Sequence, residues 1–188
     1  MRTIFACALS AALLCGCGQK SPEPTANDGG DATSRTIASS LSSAQGLSQF
    51  AGALKTTGLA TVFDGTPSYT VLAPTDDAFG KLGIAGNALM QPSQKAGLSQ
   101  VLRGHVLPGY AAPADIEGAI AAANGKPVKM PTMSGTSLTF AKDGEYLTVT
   151  SDDGITARVE GTPTLAGNGV IIPIDTVLKQ GPRTASAN

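Results

Sequence analysis

The apolar residues of this chain change their spacing part-way along. Through Leu47, Phe50, Ala51 and Leu54 they recur every three or four positions; through Leu138/Phe140 and Leu147/Val149 they alternate with polar ones. The first period lays a stripe along a helix and the second lines one face of a strand. Together they predict an α+β fold, with helices leading and strands following.

Within the first half, "ASSLSSAQ" is a short helix candidate through Leu41 and Ala44. "LSQFAGALKTTG" is a stronger one, with Gly58 as its stop. "GLATVFDG" predicts a further turn ending at Gly65. In "PSQKAGLSQVLRGHVLPG", Ser93 is the candidate cap. Leu98, Val101, Leu102 and His105 share one face, and Pro108-Gly109 is the expected end. In the second half "SLTF", "YLTVT" and "ITARV" alternate, with Asp143-Gly144 and Asp153-Gly154 as turns between them. "GVIIPID" is continuously apolar and predicts a buried strand. Pro173 has no N–H for a ladder, which places it at an edge, a bulge or the strand end.

One stretch joins the two kinds of structure. "YTVLAPTDDAFGKL" reads as an apolar strand from Tyr69 to Ala73, a break at Pro74, an N-cap at Thr75 and a helix behind it. Asp76 and Asp77 fall in the first turn, where a carboxylate meets the positive end of the helix dipole, worth about 0.3–1 kcal/mol each. Phe79 and Leu82 are expected to point to the core.

The ends read differently. Met1-Arg2-Thr3 precedes an apolar run, Ile4 to Leu14, too short to span a bilayer, and the run ends in "LLCGC". This is similar to a bacterial lipoprotein signal cut before Cys17; Cys15 fits less well, and the alternative is a plain secretory signal with incidental cysteines. Lipidation at Cys17 would use the last thiol, since Cys7, Cys15 and Cys17 are the three cysteines of the chain. Gly18 to Ser34, rich in Pro, Gly and small polar residues, is expected to be a flexible tether. The expected organisation is a signal over 1–16, lipidated cysteine and tether over 17–35, one domain over 36–180 and a short tail over 181–188. Gly18, rather than Asp, after the cysteine points to the outer membrane over the inner, with the domain facing periplasm or exterior.

Chemistry is sparse. Loss of Arg2 with the signal leaves twelve basic against fourteen acidic side chains, with no basic run, which argues against nucleic acid. Aromatics make up 4% and Trp is missing, so stacking on sugars or bases is poorly provided for. Asp76 and Asp77 as an acid–base pair fail on geometry: neighbouring helix residues diverge by about 100° and cannot flank one bond. Asp152-Asp153-Gly154 lacks the spaced ligands of a calcium loop. His105 is the single histidine, so H-E-x-x-H and multi-histidine metal sites are excluded, and no G-x-S-x-G elbow presents a serine. His105 therefore reads as a core-edge residue hydrogen-bonded near its helix end. "GNG" at 167–169 reads as a turn and not as a nucleotide-binding loop.

"YTVLAPTDDAFGKL" resembles the first signature of the fasciclin domain family, a strand followed by A-P-(T/S)-(N/D)-x-A-F. "NGVIIPIDTVL", Asn168 to Leu178, resembles the second, and "LSQVLRGHVLPG" is similar to the histidine-containing segment between them. The resemblance covers about Ile37 to Lys179. It implies a helical part packed on a β-wedge or small twisted barrel, in a non-catalytic adhesion or binding module without a cofactor. Thr75, Asp76, Ala78, Phe79, His105, Asn168, Gly169 and Asp175 would be structural positions of the signatures. Here Gly104 stands where many members have Tyr before the histidine, and Ile172-Pro173 where His-Val is common, so integrin-type adhesion does not carry over. The expected partners are a membrane through Cys17 and an unidentified protein, polysaccharide or matrix ligand, with the chain a monomer. The alternative is a hydrophobic-ligand carrier, or a weak hydrolase, using a groove near His105.

Overall fold

The computed structural model describes residues 35–178. The expected signal, Cys17, the tether and the tail lie outside the described residues. Helix α1 (Ile37–Ser43) and α2 (Ser48–Thr57) are followed by a 3-10 helix (Leu59–Asp64) and strand β1 (Tyr69–Pro74). Then come α3 (Asp76–Lys81), α4 (Ile84–Leu89), a 3-10 turn (Pro92–Gln94), α5 (Lys95–Gly104) and β2 (Val106–Pro108). Helix α6 (Pro113–Ala122) leads into β3 (Val128–Pro131), β4 (Ser137–Asp143), β5 (Tyr146–Ser151), β6 (Thr156–Arg158), β7 (Thr164–Ala166) and β8 (Gly169–Ile174).

The expected helices form where their stripes demand. Leu47, Phe50, Ala51 and Leu54 are all buried, and Gly58 ends α2 in the left-handed conformation (φ 79°) that glycine adopts without penalty. Ser93 does not cap α5. It lies inside the 3-10 turn, and the cap position belongs to Gln94, which makes no side-chain bond there. Nor does α5 run to Pro108. It stops at Gly104, because the next residues pair with β1 as a strand, Val71 opposite Val106. Helices α4 and α6 and strands β2, β3 and β7 were not anticipated. Strand β1 lies where Tyr69 to Ala73 is expected to form one, whereas α6, between β2 and β3, interrupts the expected helices-then-strands order.

Two four-stranded sheets result, ordered β2-β1-β8-β7 and β3-β4-β5-β6, and neither closes into a barrel. The second is an antiparallel meander. In the first, β1 and β8 run parallel side by side, Tyr69 opposite Gly169 through Pro74 opposite Ile174. The first sheet is the middle layer of three. Val71, Ala73 and Ile171 join Phe50, Phe63, Leu98 and Leu102 in a core under the helices. Leu72, Val170, Ile172 and Ile174 join Leu138, Phe140, Val149 and α6's Ile116 and Ile120 in a second core between the sheets. Burial on both faces explains the unbroken apolar run of β8. Pro173 sits near the end of that strand, beyond the residues paired with β7.

Candidate functional site: the signature residues and the cleft beside them

Thr75 caps α3 as expected, its hydroxyl oxygen accepting from the Ala78 amide at 3.2 Å, with Ala78 and Phe79 buried behind it. Asp76 has a different role from the one its position suggests. It reaches out of its own helix to α2, whose cap residue, Leu47, has no side-chain acceptor. Oδ1 accepts from the Gln49 amide at 2.8 Å, and Oδ2 from the Ser48 hydroxyl at 2.8 Å and the Ser48 amide at 3.3 Å. The Asp76 amide is donated to Gly46 O at 2.7 Å. Partial burial raises the carboxyl's pKa, but these bonds from Gln49 and Ser48 outweigh it and hold the pKa below its ordinary value. One carboxylate therefore locks two helix starts together. Asp77 is exposed, so the two neighbouring carboxylates share no site.

The second signature is equally structural. Asn168 is buried, accepts from the Ile37 amide at 2.8 Å, and donates to Phe63 O at 2.6 Å and Gly65 O at 3.0 Å. It thus satisfies a free amide of α1's first turn and two carbonyls at the end of the 3-10 helix. Asp175 joins the two sheets. Its Oδ1 accepts from the Arg158 amide at 2.8 Å, its own amide is donated back to Arg158 O, and a bridge between Val159 and Ile174 lies alongside.

His105 is deeper than a core edge, at 1% exposure. Nδ1 lies 2.8 Å from Val101 O and Nε2 lies 2.9 Å from the Leu178 amide. This bonding assigns the proton to Nδ1, which donates, and leaves Nε2 to accept. Burial lowers its pKa to about 4, against the opposing pull of the Val101 carbonyl. Both nitrogens are engaged with backbone, and the ring lines neither of the surface clefts described below. His105 therefore occupies a buried core position and not the wall of either cleft.

Sequence reasoning missed Thr70. It is fully buried in β1, donates to Gly109 O at 2.9 Å and accepts from the Ala111 amide at 2.8 Å, pinning the turn after β2. A lone threonine in an apolar strand was the available signal.

Two surface clefts are lined by described residues. One, of about 450 Å³, lies between the α1–α2 connection, the Thr75–Asp77 turn and the Glu160–Thr164 loop, with Gly46, Asp77, Glu160 and Thr162 on its walls. It offers carboxylates and hydroxyls as acceptors, which suits a cationic or hydroxyl-rich surface. The other, of about 260 Å³, lies between α1, α2 and the 3-10 helix and is mainly apolar, with Lys55 and Asp64 among its lining residues. Among the described residues no group of three His, Cys, Asp or Glu side chains could hold a metal, and no helix is long and apolar enough to cross a membrane.

Comparison with known proteins agrees with this geometry. Protein sll1483 of Synechocystis sp. is 31% identical over 134 residues, which cover 70% of this chain and 66% of that protein. A solved FAS1 domain pair from the insect cell adhesion molecule Fasciclin I superposes with a TM-score of 0.68 at 18% identity, over 78% of this chain and 51% of that one. At that identity it shows the fold alone: one unit of a pair. A model of the Fasciclin domain matches residues 45–180, well over half of the sequence. The chain belongs to the fasciclin domain family.

Proposed function

We propose that this protein is a non-catalytic binding or adhesion module held at the cell envelope by a lipid on Cys17. The observation that supports it best is that the chain's chemically versatile residues serve the fold. His105 is sealed with both nitrogens bonded to backbone, and Asp76, Asn168 and Asp175 tie elements to one another. What remains outward is shaped surface, foremost the acceptor-lined cleft beside Thr75–Asp77. Fasciclin domains are in general adhesion modules, and the matching insect domain pair comes from a cell adhesion molecule. The lipobox-like "LLCGC" and the polar segment behind it support a tethered domain above a membrane.

The test has two arms. Native protein purified from membranes should partition into detergent and carry no alkylatable thiol, while Cys17→Ser should become soluble; a freely reactive Cys17 would refute the anchor. Separately, the immobilised protein should retain material from the native envelope fraction. Binding to no protein, polysaccharide or lipid of that fraction would remove the module reading.

A further inference from the structure

The described chain ends in a segment that belongs to both cores at once. Val177 is buried in the core under the helices and Leu178, its neighbour, in the core between the sheets. The Leu178 amide is donated to His105 Nε2 at 2.9 Å. That bond exists only while Nε2 is unprotonated, because the Nδ1 proton is already committed to Val101 O at 2.8 Å. A proton added at Nε2 would set two N–H donors against each other at a buried position, where His105 is 1% exposed and Leu178 fully buried.

We propose that His105 is an acid-operated latch: a solvent proton taken up at Nε2 breaks the bond to Leu178 and frees residues 176–178 from the two cores they join, while the sheets and helices stay folded. The segment is hinged at Asp175, which remains held through Arg158 and by Lys81 Nζ on its carbonyl at 3.0 Å. Both ring nitrogens bond to backbone, and among the described residues no charged side chain is hydrogen-bonded to the ring. Helix α2 brings the Phe50 ring, 6.2 Å away between centroids, and its one charged residue, Lys55, lines the apolar cleft. Helix α5 carries Lys95 and Arg103, both exposed. Strands β1, β2 and β8 bring no charged side chain, Tyr69 of β1 packing on Phe63. Asp175, at the start of the segment, turns its Oδ1 to the Arg158 amide and the Thr176 hydroxyl. With no carboxylate bonded to the ring, the proton is accommodated by opening, and burial holds the ring neutral down to about pH 4.

The latch is read by native-state amide exchange of the full chain in low urea. The Leu178 amide should show a lower protection factor than the amides of β4 and β5, with little dependence on urea. That factor should fall about tenfold per pH unit between pH 6.5 and about 4 and level off below. His105→Gln, which cannot titrate, should flatten the pH dependence. Leu178 sharing the protection and urea slope of β4 and β5 at every pH would mean global unfolding alone and overturn the latch. So would a pH-independent Leu178 amide, or a slope that survives in His105→Gln. Should that variant fail to fold, the wild-type comparison decides by itself.

Discussion

Gly169 has a φ of 148°, and a Cβ there would overlap the Tyr69 carbonyl oxygen and come within 2.7 Å of Ile37 Cδ1. No rearrangement of a flexible side chain relieves a clash with backbone. Gly169→Ala should cost more than about 4 kcal/mol, or prevent folding, in urea titration. Asn168 beside it serves partners 131 and 105 residues away, at Ile37 and Phe63. Its replacement by Ala strands an amide and two carbonyls, and a loss of about 2–4 kcal/mol in the same measurement is expected. The sequence marks "NG" as a turn. It carries no trace of what the asparagine holds, because partners so far off in the chain are set by the finished fold.

At the level of the element, the two neighbouring aspartates separate cleanly. Asp76→Ala removes the cap of α2 and should lower stability by about 2 kcal/mol. Asp77→Ala, on an exposed position, should stay within about 0.5 kcal/mol. Thr75→Ala should cost about 1 kcal/mol and leave ligand binding intact. Equal effects of the two aspartates in thermal melts would contradict the cross-helix cap. Long, strongly periodic segments are legible: α2, β4 and β5 lie where their apolar spacing puts them, β8 where its unbroken apolar run does, and α5 on its expected stripe though with other ends. The short or compositionally flat ones are not. Strands β2 and β7 have three residues each, too few for a period, and the alanines of "PADIEGAIAA" blur the stripe in which Ile116 and Ile120 alone are buried. A sequence displays Asp76 only against its own helix, because it shows local neighbours and hides the approach of α2.

For the molecule as a whole, pH is the informative variable. The folded pKa of His105, about 4, lies below its ordinary 6.5. The unfolded chain therefore takes the proton first. This contribution to stability is complete above pH 6.5, declines as pH falls and is spent near pH 4, a total of about 3 kcal/mol. Asp76, also lowered, acts in the same direction at still lower pH. Denaturation midpoints taken across that range should fall in wild type and change less in His105→Gln. The layered architecture was legible only as α+β. That the first sheet is shared by two cores follows from β1 and β8 lying side by side, and no local signal announces that pairing.

The same pairing governs when the protein can come into being. Strand β8 is the last strand of the described chain, yet it fills the place beside β1, and the contacts of Tyr69 with Gly169 join residues 100 positions apart. Until β8 is available, the sheet between the cores has a gap at its centre and neither core can be sealed. A chain made or exported from its N-terminus must therefore wait, open and protease-sensitive, for its final segment. Folding should then be slow for the domain's size, in the millisecond-to-second range of topologies built on distant contacts. Any truncation before Gly169 should leave a chain that never acquires protection at all.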